Sequence, residues 1–107
     1  MNWINFLEVD QRSIYRGAVF CFPAEHPFED TVHFMLIEEP ESDSGYKFIC
    51  STGYHAGQTE VLLPKVAKDS NGGINLKWLQ DNWCKWIYSK TSVEEVAYLE
   101  SYSAETT

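Results

Sequence analysis

The hydrophobic and polar residues between Ile74 and Tyr88 follow the period of an α-helix. Five apolar residues succeed one another at steps of three, four, three and one, which places them on one stripe of the helix surface. They are Leu76, Leu79, Trp83, Trp86 and Ile87. Asn75 directly precedes this run and is a typical N-cap, and residues 69–73 have the composition of a loop. The pattern predicts one helix over about 75–88, with Trp83 and Trp86 buried.

Shorter segments that are rich in β-branched and aromatic residues predict strands. They span 13–22 with a bend at Gly17, 31–38, 46–52, 59–63 and, as a last strand at an edge, 93–102; residues 3–9 form either a first strand or an irregular cover. Seven turn-forming residues join 31–38 to 46–52, which favours a long hairpin with an acidic tip. No second helical stripe is present, so the helix must pack on a sheet. We therefore expect an α+β fold in which one main helix covers a curved antiparallel sheet of about five or six strands.

The length of 107 residues and an apolar content of 44% fit one globular domain over 1–107, with a polar tail at 103–107 that frays. No apolar run reaches the roughly 18 residues of a membrane span, and no basic residue precedes an apolar leader segment. We expect a cytoplasmic protein that is monomeric when free. The three cysteines, Cys21, Cys50 and Cys84, are widely spaced in apolar segments. They predict small core residues, with no disulfide, metal site or cofactor.

Negative charge is concentrated in one fifth of the chain. Between Phe22 and Asp43 there are seven acids and no Lys or Arg, which accounts for most of the net charge of −8. Such a segment repels nucleic acid and anionic lipid and attracts basic protein surfaces. Aromatic residues beside charge are typical of recognition patches. The candidate binding residues are Glu25, Glu29, Asp30, Glu38, Glu39, Glu41, Asp43, Tyr46 and Tyr54.

The candidates for catalysis are weaker. His55 with Cys50, or His26 with nearby glutamates, could serve a hydrolase or a metal site, but neither arrangement has a supporting motif. We expect no enzymatic activity; a small hydrolase-like enzyme that uses His55 and Cys50, and a general protein-interaction module, remain the alternatives. If one tryptophan is exposed for recognition, the helical spacing favours Trp78.

Three stretches of the chain resemble the immunity protein 45 family of bacterial polymorphic toxin systems. They are R-G-A-V-F-C-F-P-A-E-H-P-F-E-D at 16–30, E-E-P-E-S-D-S-G-Y at 38–46, and W-L-Q-D-N-W-C-K-W-I-Y at 78–88 followed by S-V-E-E-V at 92–96. The resemblance implies a protein of interbacterial competition that binds and blocks a cognate toxin as a heterodimer. It implies no particular contact residues. Combined with the acidic segment, it favours a cationic nuclease as the toxin.

Overall fold

The computed structural model describes residues 2–103. In that range the chain forms eight strands, numbered in chain order, and one α-helix, α1. The strands are β1 (Ile4–Asn5), β2 (Ser13–Ile14), β3 (Val19–Pro23), β4 (Thr31–Glu38), β5 (Tyr46–Cys50), β6 (Thr59–Leu62), β7 (Ile74–Asn75) and β8 (Ala97–Leu99), and α1 spans Leu76–Asn82.

Six of the strands form one antiparallel sheet in the order β1-β8-β3-β4-β5-β6, and β2 pairs with β7 in a separate two-stranded sheet. The larger sheet is open, since β1 and β6 lie at its edges. The helix packs on one face of it, where Trp83 contacts phenylalanines of β3 and β5. The predicted α+β fold with one main helix on an antiparallel sheet is confirmed.

The hairpin of β4 and β5 provides the centre of the sheet. Alternate residues of β4 point into the core, where Val32, Phe34 and Leu36 are at most 1% exposed, while the residues between them are half-buried on the other face. This is the period of two that any strand imposes on its side chains. Phe34 lies opposite Cys50 and Leu36 opposite Phe48, so both strands contribute to the same apolar layer.

The helix begins where the sequence predicts, because the Asn75 side chain accepts a hydrogen bond from the backbone N–H of Trp78 at 2.8 Å. It changes character at Trp83, where a π-helical turn runs to Ile87 and the N–H of Tyr88 donates to the carbonyl of Trp83 at 3.0 Å. Trp83 is fully buried. The prediction of a buried Trp86 is wrong, since this side chain is 41% exposed.

The π turn explains the position of Trp86. In an α-helix each residue advances about 100°, so a residue three places after Trp83 returns close to the buried stripe. A π turn has an i to i+5 hydrogen bond and more residues per turn, so each residue advances by a smaller angle. Trp86 therefore stops at the flank of the helix.

The predicted strand over 13–22 is in fact two strands. Gly17 has a φ of +95°, a conformation that other residues rarely adopt, and it lies in the turn that separates β2 from β3. β2 then leaves the main sheet and pairs with β7, a strand of two residues that the helical pattern concealed. The last strand is also shorter than the predicted 93–102, and it lies between β1 and β3 rather than at an edge.

One buried carboxylate connects the two-stranded sheet to the loop that precedes β7. Asp69 accepts hydrogen bonds from the backbone N–H of Asn71 at 3.0 Å, from the Asn75 amide at 3.1 Å and from the Arg12 guanidinium at 3.0 Å. These donors, the Asn71 N–H foremost, hold the pKa of Asp69 well below its usual range.

The cysteines differ from one another. Cys50 is fully buried, as predicted, but Cys21 is half-buried and Cys84 is exposed, so the prediction of three core cysteines is wrong for the last two. Residues 104–107 of the predicted tail lie outside the described range. Between residues 2 and 103 no helix has the length and apolarity to cross a membrane.

Candidate functional site

The acidic residues occupy two separate places on the fold. Glu25, Glu29 and Asp30 belong to the loop 24–30, which contains a cis peptide bond before Pro27 and which we call the cis-proline loop. The acids after position 38 belong to the loop 39–45 between β4 and β5, which we call the hairpin tip. The eight residues of β4 separate the two loops by about 26 Å, at about 3.3 Å per residue. The acidic segment therefore does not form one continuous surface.

Two buried serines hold the hairpin tip in shape. Ser42 donates from its hydroxyl to the carbonyl of Leu63 at 2.9 Å, and the Ser44 hydroxyl accepts from the N–H of Tyr46 at 3.1 Å. Backbone hydrogen bonds from Glu39 to Gly45 and from Ser42 to Glu39 close the loop. The side chains of Glu41 and Asp43, which alternate with the two serines along the loop, are exposed.

A shallow groove of about 310 Å³ lies between the hairpin tip and the end of the helix. Its lining residues are Glu41, Ser42, Asp43, Leu62, Leu63, Pro64 and Trp86. Two of the apolar ones are substantially exposed, Trp86 at 41% and Leu62 at 56%. Trp78, whose ring centroid is 6.0 Å from that of Trp86, extends the aromatic surface and is itself half-buried against the core.

Bases from outside the acidic segment neutralise some of its acids. Lys47 contacts Glu39 at 2.9 Å, and this hydrogen bond, with the backbone N–H of Glu41, lowers the pKa of Glu39. Glu38 pairs with Arg16 at 3.4 Å and Glu25 with Lys90 at 3.8 Å, and these exposed pairs contribute little to stability.

The acids of the groove differ from these neighbours. Within residues 2–103, neither Glu41 nor Asp43 takes part in an ion pair. Their charges face solvent beside the apolar lining of the groove.

The cis-proline loop packs against the turn after β5. Its Phe28 ring lies 5.1 Å from the His55 ring, centroid to centroid, and the Glu29 carboxylate lies against Gly53. Tyr54 projects from this turn and is 88% exposed. The pKa of His55 is raised, mainly by its hydrogen bond to Gln58 at 2.9 Å. The structure thus brings Glu29 and Tyr54 together, and it places them far from Glu41 and Asp43.

Tyr46 is less available for binding a partner than the sequence suggests. It is half-buried and packs against the core. Asp30 is exposed at the foot of β4. The predicted binding residues therefore fall into two groups. Glu39, Glu41 and Asp43 lie in the hairpin tip, with Glu38 at the adjoining end of β4, whereas Glu25, Glu29 and Asp30 lie in the cis-proline loop, with Tyr54 in the turn that packs on it. The ninth residue, Tyr46, belongs to the core layer as much as to the surface.

Cys50 and His55, which the sequence offered for catalysis, have separate hydrogen-bond partners. The Cys50 thiol is buried and donates to the carbonyl of Thr52 at 3.2 Å, whereas the His55 ring is engaged by Gln58. Among residues 2–103 no group of three or more His, Cys, Asp or Glu side chains could hold a metal ion.

A second cysteine and histidine, Cys21 of β3 and His33 of β4, lie opposite each other in the sheet. Burial raises the pKa of the Cys21 thiol and lowers the pKa of His33, so both groups favour their neutral forms. A neutral thiol is a poor nucleophile. The His33 ring hydrogen-bonds to the Tyr102 hydroxyl at 2.8 Å, which suits a structural role.

The apolar half of the groove was not predicted from the sequence. The π turn that exposes Trp86 has no signature in the residue types around it. The exposure of a leucine at this place could have been predicted, because adjacent residues of a strand point to opposite faces and only one of Leu62 and Leu63 can enter the core. Leu63 is the buried one.

Comparison with known proteins connects this fold to one family. A family model described as Immunity protein 45 matches residues 6–98, which is most of the chain and includes both acidic loops and the helix. No curated protein matched the chain. No solved structure matched it either.

Proposed function

Because the chain belongs to the immunity protein 45 family, we propose that it neutralises a cognate bacterial toxin by binding it in a one-to-one complex. Neutralisation of this kind needs no chemistry from the immunity protein. It requires a surface that covers the active site of the toxin or holds the toxin elsewhere in an inactive state.

The observation that carries the binding mode is that Glu41 and Asp43, which form no ion pair within the described range 2–103, lie beside an apolar groove. An exposed tryptophan with a charged rim has the composition of an interface centre, where aromatic residues dominate the binding energy. The hydrogen bonds of Ser42 and Ser44 hold the hairpin tip in one conformation, so little conformational entropy is lost on binding.

The net charge supports a basic partner. A protein of charge −8 attracts a cationic surface over a distance of about one Debye length, roughly 8 Å at physiological salt. Nucleases bind phosphate through Lys and Arg, so their substrate-binding faces are cationic. The toxin that this surface fits best is therefore a nuclease whose cationic face is covered in the complex, inside the cytoplasm of the producing cell.

The first experiment is isolation of the complex. The chain is co-expressed with the product of the toxic open reading frame next to its own, and the two are purified through a tag on the toxin. We expect an equimolar complex in which nuclease activity on plasmid DNA or total RNA is suppressed. A toxin that remains active and unbound at equimolar concentration would contradict the proposal.

The second experiment tests the electrostatic mechanism. The association rate is measured across a salt series for wild type and for three double variants: Glu41→Lys/Asp43→Lys at the hairpin tip, Glu29→Lys/Asp30→Lys at the cis-proline loop, and Glu94→Lys/Glu95→Lys as a control of equal charge change. We expect the hairpin-tip variant to associate at least tenfold more slowly than the control, and the difference to shrink as salt rises. Equal rates for all three variants would refute steering by the acidic segment.

A further inference from the structure

The groove between the hairpin tip and the helix end combines three features that suit one kind of side chain. Trp86 provides an exposed aromatic ring, Leu62 and Pro64 provide an apolar lining, and the exposed side chains of Glu41 and Asp43 provide a rim of negative charge. Each feature comes from a different segment of the chain. The π turn is what directs Trp86 into this position rather than into the core.

We propose that the groove is the binding site for a single arginine side chain of the toxin, whose guanidinium stacks on Trp86 and pairs with Glu41 or Asp43. This inference rests on the proposed function and assigns it a contact chemistry. It places the centre of the interface on Trp86, a residue outside the acidic segment.

Arginine fits the groove better than other side chains. A planar guanidinium can stack on an indole ring and bond to a carboxylate in a bidentate manner at the same time, whereas a lysine ammonium is a strongly hydrated point charge. A purely apolar side chain would leave the two carboxylates of the rim without a partner. The volume of about 310 Å³ gives enough room for one long side chain.

The local charges are arranged for an incoming cation. Lys47, which lies on β5 next to the hairpin tip, is already engaged by Glu39 at 2.9 Å, so it does not compete for the rim acids. In the described part of the chain those two acids have no cationic partner of their own. The groove is therefore complementary in charge to a guanidinium before any partner arrives.

A titration tests the proposed arginine site in the absence of the toxin. N-acetyl-arginine amide is added at constant ionic strength to the ¹⁵N-labelled chain, and the indole N–H resonances are followed by NMR, with N-acetyl-lysine amide as the comparison. We expect the Trp86 resonance to shift saturably with the arginine compound and to respond at least threefold more weakly to the lysine compound. The shift should disappear in Glu41→Gln/Asp43→Asn and persist in the control Glu94→Gln/Glu95→Gln. Equal responses to both compounds, or a shift that survives in Glu41→Gln/Asp43→Asn, would overturn the inference.

Binding of the toxin gives the second test. Trp86→Ala should raise the dissociation constant about thirtyfold, the effect typical of a central aromatic anchor, while Trp86→Phe keeps a ring and should recover most of the affinity. Tyr15→Ala is the matched control, because Tyr15 is 53% exposed and lines a different cavity, beside β8. In the sheet β8 and β6 are four strand spacings apart, about 19 Å.

The outcomes separate this inference from the proposed function. If wild type binds the toxin and Trp86→Ala binds it equally well, the proposed arginine site is wrong, whereas the proposed neutralisation of the toxin is unaffected. If wild type does not bind the toxin, the proposed function fails, and the titration still decides whether the groove takes a guanidinium. Urea unfolding of each variant confirms that the comparison is between folded proteins.

Discussion

The two tryptophans of the π turn should differ sharply in their effect on stability. Trp83 is fully buried, and its ring contacts Phe6, Phe20, Phe22 and Phe48 with centroid distances between 5.4 and 6.2 Å. It is the residue at which the helix meets the sheet. Replacement by alanine therefore removes a ring from the middle of an aromatic cluster.

The expected magnitude follows from burial. A large aromatic lost from a core costs about 3–5 kcal/mol, and the four ring contacts place Trp83→Ala at the upper end of that range. The whole domain is expected to be stable by only about 5–15 kcal/mol, so the variant approaches the limit of folding. Trp86→Ala removes a side chain that is 41% exposed and should cost about 1 kcal/mol.

Trp83→Phe refines the comparison. The indole N–H of Trp83 is buried and has no hydrogen-bond partner among the described residues. An unpaired buried donor costs about 1–3 kcal/mol, and phenylalanine does not have this group. The gain offsets part of the lost contact area, so Trp83→Phe should lose less than about 2 kcal/mol.

The assay is urea unfolding followed by far-UV circular dichroism, because tryptophan fluorescence changes with the substitutions themselves. The free energy of unfolding and its dependence on urea are obtained for wild type and the three variants. A greater loss of stability in Trp86→Ala than in Trp83→Ala, or a loss below about 1 kcal/mol in Trp83→Ala, would contradict the central place of Trp83 in the core.

Three further results are expected. The hydrogen bonds to Asp69, first that of the Asn71 N–H, lower its pKa in the folded state. The stability that ionised Asp69 contributes is therefore fully present above the unfolded-state pKa of about 3.9 and is lost as the pH falls below that value. The difference in urea midpoint between wild type and Asp69→Asn should narrow below about pH 4. Gly53 has a φ of +64°, and Gly53→Ala should cost about 1–3 kcal/mol in the same unfolding assay because alanine is strained there. His55→Ala and Cys50→Ser should leave protection of cells against the toxin intact if the proteins fold; a folded His55→Ala variant that binds the toxin but no longer protects would support catalysis.

Local rules of chain geometry predicted much of the fold. The strand over 31–38 is found with those bounds, because β-branched and aromatic residues favour a strand there and turn-forming residues flank it on both sides. The helix start at Asn75 was predictable because an asparagine side chain satisfies a free backbone N–H of the first turn. The separation of the acidic loops was also implicit, since eight residues of extended strand lie between them.

The two-stranded sheet could not be predicted in the same way. β2 and β7 each contain only two residues, and they pair across about 60 positions of sequence. A strand of two residues has no detectable period. Its existence depends on Gly17 turning the chain away from the main sheet and on Asp69 holding the opposite loop in place.

The sequence by itself determined the fold class, the central hairpin, the start of the helix and the acidic character of the loops, because these follow from short-range periodicity and composition. Only the tertiary structure decided that Trp83 is buried and Trp86 exposed. It also decided that the acids at 41 and 43 face an apolar groove and take part in no ion pair with any residue from 2 to 103. The physical reason is that both results depend on packing between segments distant in the chain. The turn at the helix end adjusts to the sheet beneath it. An exposed acid forms an ion pair only where the fold brings a basic side chain beside it.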